Sequence, residues 1–195
     1  MTEVKRLDPA SLKALAHPLR VELFHALSDG PATATQLAER CEQSSGATSY
    51  HLRQLARFGF IEEDPDRGDG RDRWWRTAVR GASLDVRAPG ILDDEPTREL
   101  ARWYARDLVH RAAQEADAFL ETAQDLDLDW LGASDLSSAR LELTAAQLEA
   151  LRDELHEVLE RHRIEVGANP DPTARRVRVV LQAFPTPADR AAKRP

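Results

Sequence analysis

The sequence predicts a mostly α-helical chain of the α+β class, in which short helices and a hairpin precede one long helix and a small β-α-β unit. Three observations predict this class. Apolar residues recur at helical spacing in residues 8–60, two strand-like runs flank a turn-rich stretch in residues 60–77, and one amphipathic stripe continues over residues 97–123. We therefore expect helices to carry most of the fold.

Composition and charge limit the classes of function. The 195 residues carry a net charge of −7, yet residues 1–80 hold 12 basic and 12 acidic residues, so the excess of acid lies in the second half. A nucleic-acid partner for the first half is therefore compatible with the acidic total. No apolar run approaches the roughly 18 residues that a membrane helix needs, and a signal-peptide pattern is lacking. With a single cysteine, we expect a cytoplasmic protein.

Capping residues mark the first three helices. Asp8 followed by Pro9 begins the first, which we expect to end near His17, because the residue before a proline avoids the helical region. The second helix ends at residues 29–31, Asp-Gly-Pro, and a capping box at residues 33–36 begins the third.

The fourth helix, residues 44–58, has a buried stripe at Leu52, Leu55 and Phe58 and a polar, basic outer face. No acidic residue lies between Glu42 and Glu62. An acid-free helix in an acidic chain predicts a polyanion partner. The third and fourth helices, joined by a short turn, form a helix-turn-helix.

A β-hairpin follows, with strands at residues 60–63 and 73–77 around a turn-rich stretch. Helices followed by such a hairpin predict a winged helix-turn-helix domain over residues 8–80. The alternative is a small helical domain in which the hairpin has no binding role.

Five segments in this order resemble a family: LAHPLRVEL from Leu15, QLAE from Gln36, SYHLRQL from Ser49, GFIE from Gly59 and RWWR from Arg73. Together they resemble the ArsR-type winged-helix transcriptional regulators over roughly residues 8–80. The resemblance implies a dimeric, usually repressing, DNA-binding protein that can release DNA when it senses a signal. It also implies that residues 44–58 are the recognition helix.

The candidate DNA-binding residues lie on the outer face of that helix and on the hairpin, or wing. Hydroxyls and N–H groups at a helix N-terminus suit phosphate oxygens, and a wing arginine suits a narrow minor groove. A solvated helix face, and ion pairs within the wing, are the alternatives. The predicted residues are Ser44, Ser45, Ala47, Ser49, Tyr50, Arg53, Arg57, Arg67, Arg71 and Arg73.

Metal and catalytic sites are not predicted. Where metal-sensing members of the family use a cysteine pair, this chain has Thr33-Ala-Thr35, and Cys41 fits a small buried apolar residue. Asp107 and His110 are three residues apart, and no histidine follows on that helix. The sequence also lacks a phosphate-binding glycine loop and a nucleophile elbow. We expect no cofactor, no metal and no enzymatic activity.

Residues 81–96 are predicted to be a linker and residues 97–185 a region for dimerisation that could also bind an effector. A 27-residue helix over residues 97–123 would be about 40 Å long, more than a small domain covers, so we expect it to dimerise. Burial against residues 130–184 is the alternative. The predicted dimerisation residues are Leu100, Trp103, Tyr104, Leu108, Ala112, Phe119 and Leu120.

A β-α-β unit is predicted after that helix, with strands at residues 140–143 and 177–184 and a helix over residues 144–163. Its aromatic residues either pack together or line an apolar pocket. Residues 186–195 are expected to be a disordered tail. The pocket residues would be Trp103, Tyr104, Trp130 and Phe184.

The sequence therefore predicts a homodimeric transcriptional regulator, usually a repressor, that binds an inverted-repeat operator in double-stranded DNA. Two alternatives remain. The winged helix could be a module for protein or RNA interaction, or the regulator could sense a small molecule in a C-terminal pocket.

Overall fold

The computed structural model describes residues 4–67, 73–85, 88–169 and 171–186. The chain divides into two compact units, residues 1–117 and 118–195. The helices and strands of the first unit are β1 (Lys5–Arg6), α1 (Pro9–Leu15), α2 (Pro18–Ser28), β2 (Ala32–Thr33), α3 (Ala34–Arg40), α4 (Ser45–Arg57), β3 (Ile61–Glu63), β4 (Trp74–Thr77), β5 (Ala82–Ser83) and α5 (Glu95–Thr122), whose last residues belong to the second unit.

Reciprocal capping bonds fix the starts of the short helices. Ser11 N–H donates to Asp8 Oδ1 at 2.7 Å, and Asp8 N–H donates to Ser11 Oγ at 2.9 Å. At α3, Gln36 N–H donates to Thr33 Oγ1 at 3.2 Å and Thr33 N–H to Gln36 Oε1 at 2.9 Å. These bonds satisfy N–H groups that have no partner within the helix.

The helix α4 begins after Ser44, whose Oγ accepts a bond from the N–H of Ala47 at 3.3 Å. It ends where Gly59 takes a φ of +70°, a conformation that favours glycine. The N–H of Phe60 then donates to the carbonyl of Leu55 at 3.0 Å, which closes the helix and directs the chain into β3.

The wing, formed by β3 and β4, is part of a three-stranded antiparallel sheet in the order β2-β4-β3. Trp75 of β4 lies opposite Ala32 on one side and Glu63 on the other. Trp75 is buried and Trp74 is half-buried, as the alternation of side chains in a strand requires. A second, parallel pair joins β1 to β5.

One apolar core holds the first unit together, with leucines of α1 to α4 at its centre. Segments beyond residue 80 also contribute to it. Ile91, in the predicted linker, is fully buried, and Ala101 and Tyr104 of α5 lie in the same cluster. The start of the long helix therefore completes the core of the first unit.

The second unit contains the end of α5, a 3₁₀ turn (Ala123–Asp125), α6 (Leu128–Ala133) and α7 (Ala145–Ala168). The predicted helix at residues 144–163 is confirmed as α7, with its capping box between Thr144 and Gln147. Of the residues described here, none is buried.

The prediction of a β-α-β unit within the chain is wrong. Residues 140–143 and 177–184 are in neither helix nor strand, because neither segment forms a ladder with another described residue. A period-2 pattern identifies a segment suited to a sheet but does not supply the strand beside it. Of the predicted tail, residues 187–195 lie outside the described residues. Across the described ranges, no helix is long and apolar enough to cross a membrane.

Candidate nucleic-acid interface

The exposed face of α4 is made of the residues that the sequence assigned to DNA. Ser44, Ser45, Arg53 and Arg57 are exposed, and Tyr50 is 53% exposed. Ala47 and Ser49 are half-buried at the edges of this face. The opposite side is buried at Thr48, Leu52 and Leu55, which pack into the core.

Arg53 and Arg57, the arginines of α4, take part in none of the ion pairs described for the first unit. Arg53 Nε donates to the carbonyl of Ser49 at 3.2 Å, one turn earlier. The guanidinium of Arg57 lies 5.9 Å from the centre of the Phe58 ring. Both side chains therefore keep donors that can face a polyanion.

Two histidines, one of them on α4, have their rings in contact. The rings of His17, which precedes α2, and His51 are 4.5 Å apart, and the ring of Tyr50 meets His51 edge-on at 5.1 Å. Burial lowers the pKa of both histidines, and the cation of Arg20 lowers it further. Neutral rings are thus favoured beside the exposed face of α4.

The wing arginines are exposed but have local partners. Arg67 Nε lies 3.8 Å from Asp64 Oδ2, and Arg73 Nη1 lies 3.2 Å from Glu63 Oε1. Each guanidinium also lies near a tryptophan ring, Arg67 at 5.7 Å from Trp74 and Arg73 at 6.0 Å from Trp75. Arg71 lies outside the described residues. The predicted wing contacts would therefore compete with ion pairs inside the wing.

A further arginine, Arg76, was not singled out from the sequence. Its Nε donates to Glu62 Oε1 at 2.8 Å, and its Nη1 lies 3.3 Å from the buried carboxylate of Asp64. The bond to Glu62 and the nearby carboxylates raise the pKa of Arg76. These contacts connect β3, β4 and the turn, so Arg76 fixes the shape of the wing.

The metal-ligating residue types are dispersed. Among the described residues, no group of three or more His, Cys, Asp or Glu side chains could hold a metal ion. Cys41 is buried at the end of α3, and burial raises the pKa of its thiol. A neutral, buried thiol is a poor metal ligand and a poor nucleophile.

The residues predicted for dimerisation fall into different environments. Tyr104 is buried in the core of its own unit, and Leu100, Trp103 and Leu108 pack against that core. Ala112 and Phe119 are half-buried, and Leu120 is exposed. The first half of the predicted stripe is thus occupied within the chain.

A second apolar strip on α5 was missed from the sequence. Ala105, Val109 and Ala113 lie one turn apart and line a shallow, mostly apolar groove together with Arg106 and His110. Val109 is 53% exposed. The strip is visible in the sequence as apolar residues spaced by four positions. Two of the three are alanines, which make a weaker apolar pattern than the aromatic residues of the first stripe.

The aromatic residues proposed for a pocket are divided between the two units. Within the second unit, Trp130 stacks against the guanidinium of Arg175, whose carbon lies 5.1 Å from the ring centre, and Phe184 is 66% exposed. In the first unit, Tyr104 is part of the core and Trp103 packs against it.

Comparison with a known family agrees with this description of the helix-turn-helix. Residues 15–64 match the family model of a helix-turn-helix domain. The fold of the first unit is that of a winged helix-turn-helix domain, and residues 15–64 are similar to the helix-turn-helix family. Comparison with curated proteins found no match.

Several solved structures are similar to part of the chain. HlyU from Vibrio cholerae is 28% identical and the match covers 35% of this chain and 71% of that one, with a TM-score of 0.32. The transcriptional repressor BigR from Xylella fastidiosa is 25% identical over 35% of this chain and 66% of its own, with a TM-score of 0.32. An ArsR-like transcriptional regulator from Rhodococcus is 20% identical over 61% and 92%, with a TM-score of 0.31.

Proposed function

We propose that this protein is a DNA-binding transcriptional regulator of the ArsR type that acts in the cytoplasm. The observation that carries the proposal is the outer face of α4, where exposed hydroxyls, Tyr50 and two arginines occur in a stretch without acidic residues. In a chain with a net charge of −7, such a face is suited to a polyanion. Because the fold supports α4 on a rigid core, the helix can enter a major groove as a unit.

Contacts of two kinds would form on this face. At the start of α4, Ser44 and Ser45 stand beside free N–H groups, which suit phosphate oxygens and would fix the position of the helix on DNA. Farther along, Tyr50 and Arg53 are long enough to reach base edges. The wing would lie beside the backbone, with Arg67, Arg71 and Arg73 exchanging their local partners for phosphates.

A homodimer fits this function best. The strip of Ala105, Val109 and Ala113, with the neighbouring Ala112 and with Phe119 and Leu120 farther along α5, would provide an apolar surface for a second copy. Two heads related by a twofold axis would recognise an inverted repeat, with half-site centres about one helical turn apart. Binding of such a dimer over a promoter excludes polymerase, so we infer repression.

The decisive test is operator binding by the full chain. We expect Arg53→Ala to weaken binding to the DNA upstream of the protein's own gene by about 1–3 kcal/mol, measured by fluorescence anisotropy at fixed salt. Arg161→Ala on α7 is the matched control, since it removes the same charge from an exposed helix in the second unit.

Two results would reject the proposal: no binding of this DNA at low salt, or equal effects of the two substitutions. Competition with single-stranded RNA separates a DNA regulator from an RNA-binding module. We expect duplex DNA to displace the labelled operator at lower concentration than RNA of the same length.

A further inference from the structure

Four side chains meet where the start of α2 lies beside α4. The ring centres of His17 and His51 are 4.5 Å apart, and the ring centre of Tyr50 lies 5.1 Å from that of His51. Arg20 is close enough for its charge to act on both imidazoles. These four residues, here called the α2–α4 cluster, are half-buried except for Tyr50, which is 53% exposed on the outer face of α4.

The α2–α4 cluster holds donors and positive charge but no carboxylate. Among the described residues, the charges that act on the two imidazoles come from within the cluster itself. Arg20 Nη2 donates to the carbonyl of Lys13 at 2.9 Å, while Arg20 Nε and the Nδ1 atoms of both histidines are buried without a hydrogen-bond partner. Buried polar atoms are normally paired, so this cluster indicates a ligand that supplies acceptors and negative charge.

The start of α2 adds backbone donors beside the same side chains. His17 is the N-cap of this 11-residue helix, and its side chain makes no capping bond. The first N–H groups of α2 therefore lack a side-chain acceptor, and Arg20 lies in the same turn. Helix N-termini bind anions through such N–H groups and through the helix dipole. Side chains and backbone thus favour one kind of ligand, an oxyanion.

The position of the α2–α4 cluster indicates which oxyanion it would bind. Tyr50 belongs both to the cluster and to the exposed face of α4, so a ligand at the cluster lies next to the ligand of that face. When a helix enters a major groove, the elements beside it meet the sugar-phosphate backbone. Burial lowers the pKa of both histidines, so Arg20 is the permanent cation of the cluster. Its charge matches the single negative charge of a phosphodiester.

We propose that the α2–α4 cluster binds one phosphate of the DNA backbone in each half-site, through Arg20, the N–H groups at the start of α2, His17 and Tyr50. This gives α2, which lies outside the helix-turn-helix, a direct part in DNA binding. The inference rests on the proposed function and adds to it a contact that is separate from the rest of α4 and from the wing.

Replacing single phosphates of the operator by neutral methylphosphonates tests the contact directly, with affinities measured by fluorescence anisotropy at fixed salt. We expect one position in each half-site where the replacement weakens binding of the wild type about tenfold, but weakens binding of Arg20→Gln less than about twofold. Arg20→Gln should also lower the slope of log K against log salt by about 1 per half-site, and Arg20→Lys should restore it.

A second variant uses the uncapped start of α2. Asparagine is a favourable N-cap, so His17→Asn should keep α2 folded while its side chain takes the N–H groups that the phosphate would use. We expect weaker operator binding and a smaller methylphosphonate effect at the same position, with no loss of thermal stability. Arg161→Gln is the control, since it removes a charge from an exposed site on α7 and should respond to every methylphosphonate as the wild type does.

Two results would overturn the inference. Arg20→Gln could weaken binding equally for every methylphosphonate operator, as a change in folding would, or both variants could keep the affinity and salt slope of the wild type. The proposed regulator is judged separately. Wild type that fails to bind any operator DNA rejects the regulator, whereas wild type that binds, and is weakened by Arg53→Ala but shows no coupling at Arg20, rejects only the phosphate site.

Discussion

His17 and His51 lie where α4 meets α2, and their rings are in contact at 4.5 Å. The cation of Arg20 acts on both histidines, and the ring of Tyr50 contacts His51. The Nδ1 atoms of both histidines are buried without a hydrogen-bond partner in the structure, as is Nε of Arg20. A proton added to either ring would therefore place a cation beside another cation, with few acceptors for it.

The free energy of unfolding should consequently depend on pH through this pair. Because the folded pKa lies below the unfolded value of 6.5, the unfolded chain binds more protons in acid. Stability is retained above pH 6.5 and is lost as the pH falls below it, by up to about 1.4 kcal/mol per pH unit for each extra proton.

Urea unfolding of the wild type and of His51→Phe between pH 5 and 7.5 measures this effect. The phenylalanine keeps the ring contact with His17 and removes one titrating group, so the pH dependence should become shallower. An identical dependence in both proteins would show that the histidine pair is not its source.

For individual residues, the sequence predicted the orientation of side chains whose neighbours lie close along the chain. The inward orientation of Leu52 and Leu55 followed from helical spacing, and both are fully buried. The contact of His17 with His51 could not be predicted in this way. It depends on how α2 crosses α4, and the spacing within either helix does not contain that information.

Among the elements, α5 combines two roles along one helix. Tyr104 is directed into the core, and Val109, five residues later, lies in an exposed strip. The 3.6-residue period places these positions on different sides. One side of the helix is therefore used within the chain, while the other carries the exposed strip that we propose for a second copy.

A charge placed in the strip should weaken the dimer. We expect Val109→Arg to raise the dissociation constant at least about tenfold, because a buried, unpaired guanidinium is costly at an apolar interface. Sedimentation velocity across a concentration series measures the change.

Gln114→Arg provides the control, since it adds the same charge to α5 at an exposed position outside the strip. Equal dissociation constants for the two variants would exclude the strip from the interface. Circular dichroism should confirm that both proteins keep their helical content.

Element boundaries were predictable where side chains cap the backbone. The boxes at Thr33 and Thr144 gave the starts of α3 and α7. The two-residue strands β1, β2 and β5 have no periodicity to detect, and they exist because distant segments meet. Residues 140–143 and 177–184 show the reverse case, since their alternating pattern was clear but neither segment is a strand among the described residues.

For the whole molecule, charge is divided between the two halves. The first 80 residues are neutral in sum, and the remainder carries the full excess of acid. Acidic surface elsewhere repels DNA, so binding would be confined to the faces formed by α4 and the wing. This division of charge favours weak affinity for non-specific DNA. It also makes binding depend strongly on how α4 and the wing are placed on the DNA.

Salt should therefore change operator affinity steeply. If a dimer makes roughly 6–10 phosphate contacts, affinity should fall by about 10³–10⁵ between 50 and 200 mM salt. Arg57→Ala should reduce the slope of log K against log salt by about 1 per head if that side chain neutralises a phosphate. Anisotropy titrations at several salt concentrations measure the slope, and a flat response would argue against phosphate contacts.

The position of Ile91, Ala101 and Tyr104 in the core of the first unit bears on how the protein can be divided. A fragment cut at residue 80, where the helix-turn-helix motif and its wing end, would leave openings in the core where these three side chains belong. The smallest fragment with a complete core extends from Leu7 to about Leu108. The winged helix-turn-helix domain therefore cannot be separated from the first turns of α5.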